Sequence, residues 1–432
     1  MRILIITSYY HPVQTPNVYR WSSIAEYWAR EGHEVHLLCS QRKGFLKEDL
    51  IRGVKVHRAG HNTLMDLVYH FRNKNNRRSE ANQQASRPSK KKRWLEKIID
   101  WTWRALYWPD GSIVWYWPAK RKLKRLLKQY SFDAIISVGL PFTAHLIAWS
   151  AKKNTPQIKW LVDIEDPFCY SKEFFVNNFH LYELLNKRVE RKLLNSAHAI
   201  SLTVEAARQR YLKLFPELED KMFVTPPVFD LNLEAKRPKI KAASKRKKII
   251  YFGAFYDHIR TPLALLNLLQ SIQIDTPHFL DDYEFHFYGR IDQEAQDYFE
   301  AFPQLKPSIH LHGLISRQEV ESRMLSADFL INISNKTTYH LPSKSADYLM
   351  SGKPIINIYY DEMDTFKAFF DGYPAILNLN LRRDEHNIED ILAFQSFLRN
   401  PPLKQVSPAV IQQLGAPYHL SIIANQYLQL IR

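Results

Sequence analysis

The chain has 432 residues, 45% hydrophobic and 24% charged, which suffices for two or three domains and a buried core. Its net charge of +16 is concentrated: residues 72–128 carry 17 Lys+Arg against 4 Asp+Glu, residues 236–248 carry eight basic residues and no acidic one, and the remainder is mildly acidic. That distribution argues against a protein that coats nucleic acid along its surface, the two cysteines (Cys39, Cys169) imply no disulfide framework and fit a reducing compartment, and no apolar run reaches the roughly eighteen residues of a membrane span.

Arg2–Thr7 is a continuous apolar run of the kind buried in parallel sheets, and it is too short for the apolar region of a secretory signal. A helix from about Val18 to Glu31 stops at Gly32, and strands follow at Glu34–Cys39 and near Val54–His57. Strand, helix, strand with a short return implies a right-handed βαβ unit. The intervening loop, Tyr9–Asn17, has no G-x-G-x-x-G, so no dinucleotide cofactor is expected.

Residues 72–92 are polar and basic and read as a solvated loop. On the helix predicted next, Arg93, Lys97, Asp100 and Arg104 form one polar stripe, and six of the ten tryptophans (94, 101, 103, 108, 115 and 117) fall on or just after it. Trp beside Lys and Arg is the composition of a helix lying in a membrane interface, which makes Lys90, Lys91, Lys92, Arg93, Trp94 and Trp101 candidates for contact with an anionic membrane surface. The same composition also describes a core helix behind a basic loop.

The α/β alternation resumes with a basic helix at Lys120–Tyr130, a strand at Phe132–Val138, a helix at Pro141–Ala151 and a strand at Ile158–Val162 that runs into Asp163-Ile-Glu-Asp-Pro167. Carboxylates just past the carboxyl end of a parallel strand stand where open α/β sheets place ligands, so Asp163 and Asp166 are candidate catalytic residues, with helix N-capping as the competing role. After a strand at Ala197–Leu202 and the segment Met222–Thr225, a basic linker at 231–248 separates a second α/β domain. That domain opens with a strand, Lys248–Gly253, a loop to Arg260, and a helix at Pro262–Ile272 with Thr261 as its cap. Further strands are read at Glu284–Tyr288, Ile309–His312 and Asp328–Ile333, and an amphipathic helix at Tyr418–Arg432 closes the chain.

Leu341–Pro354 is the most informative stretch. Ser343 is a plausible N-cap, Gly352 fits the C-terminal cap, Pro354 ends the helix, and a strand follows at Ile355–Ile358. A helix opening after a strand loop offers an anion site, and Lys344 and Asp347, three apart, share one face of it. A phosphate beside Lys344 and a ribose hydroxyl on Asp347 would suit that face; an exposed ion pair of a few tenths of a kcal/mol is the plainer account.

The stretch resembles the donor-nucleotide motif P-S-K-x-x-E-Y-[apolar]-x-x-G-K-P of family 4-type glycosyltransferases, and the beginning of the chain resembles theirs in strand–Y-x-P–loop–R-x-x-x-[apolar]-A and G-H-E-V. The resemblance covers nearly the whole chain in order. It implies the GT-B fold: two Rossmann-like α/β domains facing across a cleft, here an acceptor-side domain at 1–230 with the insertion 72–128, the linker 231–248, a donor-nucleotide domain at 249–415, and a C-terminal helix, 416–432, returning to the first domain. It implies that Asp347 binds the ribose, that Tyr339 stands where relatives carry a Glu near the donor sugar, and that Gly253 and Arg260 belong to the loop clamping the diphosphate with Ser343 and Lys344. Asp163 matches the first acidic position of D-x-R-D-P-[FW], with Glu165 replacing the Arg; Thr15-Pro16 replaces the usual Gly-Gly pair; and Pro226-Pro-Val-Phe-Asp230 matches the end of the first domain.

The function implied is transfer of a sugar from a nucleoside-diphosphate sugar to a lipid-linked, oligosaccharide or surface-polysaccharide acceptor, in the cytoplasm and peripheral to the membrane. No D-x-D signature is present, so no metal ligand and no cofactor are expected. Family members retain anomeric configuration, whereas Asp163 as a general base would serve inversion, and both courses fit the sequence. A nucleotide-sugar epimerase or hydrolase is the alternative on the same fold. A nucleic-acid-binding protein would need a recognised module, which the sequence lacks.

Overall fold

The computed structural model describes residues 1–61, 107–170, 176–229, 245–255 and 259–432, apart from positions 14, 43, 338, 383 and 384. The chain divides into two compact units, Met1–Pro227 with Leu420–Arg432, and Val228–His419.

In the first unit, β1 (Arg2–Ile6), β2 (Glu34–Gln41), β3 (Glu48–Ile51), β4 (Val54–His61), β5 (Ala134–Gly139), β6 (Lys159–Ile164), β7 (Ala199–Leu202) and β8 (Met222–Val224) form one sheet in the order β3-β4-β2-β1-β5-β6-β7-β8. Every pair is parallel except β3 with β4. The apolar run Ile3–Ile6 is fully buried, as a strand covered on both faces requires. Ile3 stands opposite Val35 on one side and Ala134 on the other, so the strand order reverses at β1 and β5. α1 (Pro16–Arg30) is capped by Thr15, whose Oγ1 accepts the Val18 N–H at 3.2 Å. α2 (Ile113–Gln129) starts seven residues before the predicted helix and continues through Pro118, whose ring fills the space where a Gly60 Cβ would lie, 2.3 Å from it. α3 (Thr143–Asn154), α4 (Phe179–Ser196) and α5 (Glu205–Leu214) complete the alternation.

In the second unit, β9 (Lys247–Phe252), β10 (Tyr283–Tyr288), β11 (Ile309–Gly313), β12 (Phe329–Ile333), β13 (Ile355–Tyr359) and β14 (Ile376–Asn380) form an all-parallel sheet in the order β11-β10-β9-β12-β13-β14. This is the doubly wound order with its switch between β9 and β12. The helices are α6 (Leu263–Asp275), α7 (Gln293–Glu300), α8 (Arg317–Leu325), α9 (Ser345–Ser351), α10 (Thr365–Phe369), α11 (Ile388–Arg399) and α12 (Pro408–Gly415). Pro262 occupies the N-cap of α6, one residue later than Thr261. Asn332, Asn357 and Asn378 are in register on neighbouring strands and bond in a row, at 2.8 Å and 2.9 Å, which fixes the alignment of β12, β13 and β14.

The C-terminal helix α13 (Leu420–Ile431) belongs to the first unit. Its Ala424 carbonyl accepts from Trp28 Nε1 at 3.1 Å, and Tyr427 packs on Trp21 at 4.9 Å between centroids. Among the described residues no helix is long and apolar enough to cross a membrane.

Candidate functional site

The carboxyl ends of β9 and β12 separate after the Tyr251–Ile331 pair. Tyr348, on α9, fills the split: its hydroxyl accepts the Phe252 N–H at 3.1 Å and donates to the Ile331 carbonyl at 3.0 Å. That one side chain fastens α9 across the switch point, where open α/β sheets bind ligands. Lys344 and Asp347 lie on the same short helix and the turn before it.

Gly253 and Gly289 allow two loops to approach each other. A Cβ on Gly289, whose φ is +140°, would lie 1.9 Å from the Gly253 carbonyl oxygen. A Cβ on Gly253 would lie 2.5 Å from the Tyr251 hydroxyl and 3.0 Å from Arg260 Nη1. Arg260 is half-buried against this backbone. Its Nη1 donates to the Tyr251 hydroxyl at 3.2 Å and to the Ala254 carbonyl at 3.4 Å, while its Nε–H is buried without a partner among the described residues. The adjoining Thr261 Oγ is likewise buried and unclaimed. The loop is tied to the exit of β12 by the Lys336 N–H, which donates to the Ile259 carbonyl at 2.7 Å.

Lys344 Nζ donates to Asp347 Oδ2 at 3.0 Å, the i,i+3 pair read from the sequence. Arg317, on α8, stands 3.8 Å from the other oxygen of Asp347 and was not legible as part of this group, since it lies thirty positions upstream on another helix. Ser343 is exposed and does not cap; Lys344 itself occupies the N-cap, without a side-chain bond, and the turn is closed by Ser345, whose N–H and hydroxyl both bond the Pro342 carbonyl. α9 is only seven residues long, so its dipole is small and the positive charge of the site resides on Arg260 and Lys344 rather than on a helix end. Gly352 is the C-terminal cap, left-handed at φ +65°. Tyr339 is fully buried, with its ring 4.5 Å from that of His340, and offers no side-chain surface to a ligand in this conformation.

In the first unit Asp163 lies within β6, one residue before its end rather than past it, and is fully buried. Its Oδ2 accepts from Trp21 Nε1 at 3.0 Å and from Arg20 Nη1 at 3.3 Å, and its Oδ1 accepts from the Tyr427 hydroxyl at 2.5 Å. Among the described residues neither carboxylate caps a helix: Asp166 sits in the bend after β6, and α4, the next described helix, is capped by Asn178. Glu165 is largely buried and accepts from Arg20 Nη1 at 3.0 Å. Burial, with the nearby charges of Asp163 and Asp166, pushes its carboxyl up against the pull of Arg20. Arg20 also donates to the Thr225 carbonyl at 3.2 Å and to Tyr427. Arg20 stands in the N-terminal family pattern, but Tyr427 carries no local signal and enters only by packing.

Lys90, Lys91, Lys92, Arg93, Trp94 and Trp101 lie outside the described residues. Trp115 is fully buried in the core. Trp108 donates to Asn186 Oδ1 at 2.9 Å. Trp117 is 60% exposed, and it shares one exposed face of α2 with Arg121, Lys124, Arg125 and Lys128.

Two Rossmann-like units, the first completed by a C-terminal helix, make up the GT-B fold, and this chain has that fold. It is similar to the alpha,alpha-trehalose 6-phosphate synthase of Burkholderia multivorans (12% identity, 100% of this chain and 98% of that one, TM-score 0.64). It is similar to the Anabaena protein HepE in complex with UDP (13% identity, 99% of each chain, TM-score 0.63). A third similar structure is the lipopolysaccharide outer core galactosyltransferase WaaB (10% identity, 100% and 99%, TM-score 0.60). No protein-family model matches the sequence, nor does any curated protein.

Proposed function

We propose that this chain is a glycosyltransferase that moves a sugar from a nucleoside-diphosphate sugar to an acceptor. The observation that carries the reading is the unclaimed, buried Arg260 Nε–H beside the Gly253 backbone at the switch point of the second sheet. An arginine whose Nη1 is held by Tyr251 and Ala254, and whose Nε–H has no partner among the described residues, suits a phosphate oxygen. Arg260 and Lys344 would stabilise the departing diphosphate without a metal ion, with Ser343 contributing beside Lys344 in the chain, and Asp347 would accept from the ribose hydroxyls. Gly253 leaves the room that the Tyr251 hydroxyl and Arg260 occupy, and Tyr339 would act only through packing. UDP bound to HepE and the galactosyl transfer named for WaaB support the same chemistry class.

On the acceptor side, we assign Glu165 and Asp166 to meet the hydroxyl, with Asp163 as a positioning residue that acts through Arg20. The acceptor we favour is a lipid-linked or surface-polysaccharide precursor, with the reaction at an anionic membrane face and with retention of configuration. The basic, Trp117-bearing face of α2 supports the membrane site. Calorimetry with a panel of nucleoside diphosphates tests the donor site. One of them binds, Arg260→Ala and Lys344→Ala each weaken it by roughly 1.5–3 kcal/mol, about tenfold to a hundredfold, and its 2′,3′-dideoxy form binds more weakly. Full affinity in both variants would remove the assignment.

A further inference from the structure

A second polar cluster lies on the edge of the second unit's sheet and uses none of the residues proposed to hold the donor. β11 is the edge strand, and its parallel register places His310 directly opposite His286 of β10. Glu284 precedes His286 by two residues and His312 follows His310 by two, so all four side chains stand on one face. One donor atom from each of Glu284, His286 and His310 falls within 4.8 Å of the other two. We propose that Glu284, His286 and His310 form a binding site for a divalent transition metal, Zn²⁺ by the chemistry of its ligands, that staples the edge strand β11 to β10.

The separations suit that ion. Two ligands on a tetrahedral Zn²⁺ lie roughly 3.4 Å apart, given metal–ligand bonds of about 2.1 Å. His286 Nε2 and Glu284 Oε2 are 3.3 Å apart already. His310 Nε2 is buried and has no partner among the described residues, which leaves a lone pair or N–H for a ligand. The other nitrogen of His286 is 2.9 Å from His312 Nε2, the outer hydrogen bond that orients a metal-bound imidazole. Arg246 stands 3.8 Å from Glu284 Oε1 and leaves Oε2 to the histidine. Two imidazoles and a carboxylate, with a fourth position left to water, match Zn²⁺ better than Mg²⁺ or Ca²⁺.

The first unit supplies a comparison. His36 and His57 are also paired across adjacent strands at 2.9 Å, but there His57 bonds Glu48 at 2.5 Å, His36 bonds Glu34 at 3.1 Å, and Lys122 and Lys55 take up the two carboxylates. Every ring nitrogen of that pair is satisfied within the protein, so the metal has no place in it.

Dialysed, folded protein is titrated with Zn²⁺ by calorimetry and with Co²⁺ by visible absorption. One equivalent of Zn²⁺ binds, Co²⁺ gives the intense bands of a four-coordinate ion, and X-ray absorption of the Zn²⁺ form counts two imidazoles. His310→Ala and the isosteric Glu284→Gln each lower affinity by about tenfold or more, while His36→Ala leaves it unchanged. Absence of stoichiometric binding to the wild type overturns the proposal without reference to any variant. So does full affinity retained in both site variants, or affinity lost in His36→Ala.

Discussion

Asp163→Asn separates a positioning carboxylate from a general base. The wild-type side chain is fully buried and accepts three hydrogen bonds, from Trp21, Arg20 and Tyr427. Asparagine keeps the shape but turns one acceptor into an NH₂ group, which must then face the Trp21 N–H and Arg20 or the Tyr427 O–H, a donor against a donor. It also removes one of the two carboxylates paired with the buried Arg20. Breaking a buried ion pair costs about 3–5 kcal/mol. Glu165 remains as a partner for Arg20 and ionises more readily once Asp163 is neutral, so the lower end, about 3 kcal/mol, is expected. Tyr427→Phe removes one hydroxyl from the same network and should cost about 1–3 kcal/mol, and the double variant should show non-additive coupling. All ten tryptophans lie at or before Trp160 and hence in the first unit, so denaturant unfolding followed by tryptophan fluorescence reports that unit alone. An Asp163→Asn protein with the wild-type unfolding midpoint and about 10²-fold lower turnover would refute this account and restore the general base.

Gly289→Ala combines a positive φ with backbone overlap at Gly253, which costs about 2–4 kcal/mol in all; its melt should shift by circular dichroism but not by tryptophan fluorescence, and an unshifted melt would mean the two loops do not pack as described. Glu190 is buried and its carboxyl is pushed up to about 7 by burial, against the bonds from Cys169 and Tyr211. The folded state therefore holds that proton more tightly than the unfolded chain: the contribution to stability is complete below about 4.5 and is lost as pH rises through about 7. The stability of wild type relative to Glu190→Gln should fall across that window, and a constant difference across it would show that the carboxyl titrates normally. Neutralising Lys90, Lys91, Lys92 and Arg93, or the α2 residues Arg121, Lys124, Arg125 and Lys128, should move the protein from pelleted anionic vesicles to the supernatant at about 1 kcal/mol per charge; a wild type that never pellets at low salt would remove the membrane proposal.

Features set within a few residues were legible without the fold. The unbroken apolar run Ile3–Ile6 could only be a doubly covered strand, Gly352 followed by Pro354 could only end a helix, and three-residue spacing put Lys344 beside Asp347. Helix starts were less certain, because a cap is chosen by the turn around it: Ser345, not Ser343, closes the turn before α9 by bonding the Pro342 carbonyl. What the sequence left open depends on partners that chain order does not bring together. Asp163 reads as a ligand-facing carboxylate at a strand end until the C-terminal helix covers it with Tyr427, 264 positions away. Arg317 reaches Asp347 from another helix, and His286 meets His310 only because β10 and β11 pair in one register rather than another. Local chemistry determines which backbone conformation each segment prefers; burial, and with it the protonation and role of a carboxylate or an imidazole, is decided by which distant segments exclude water from it.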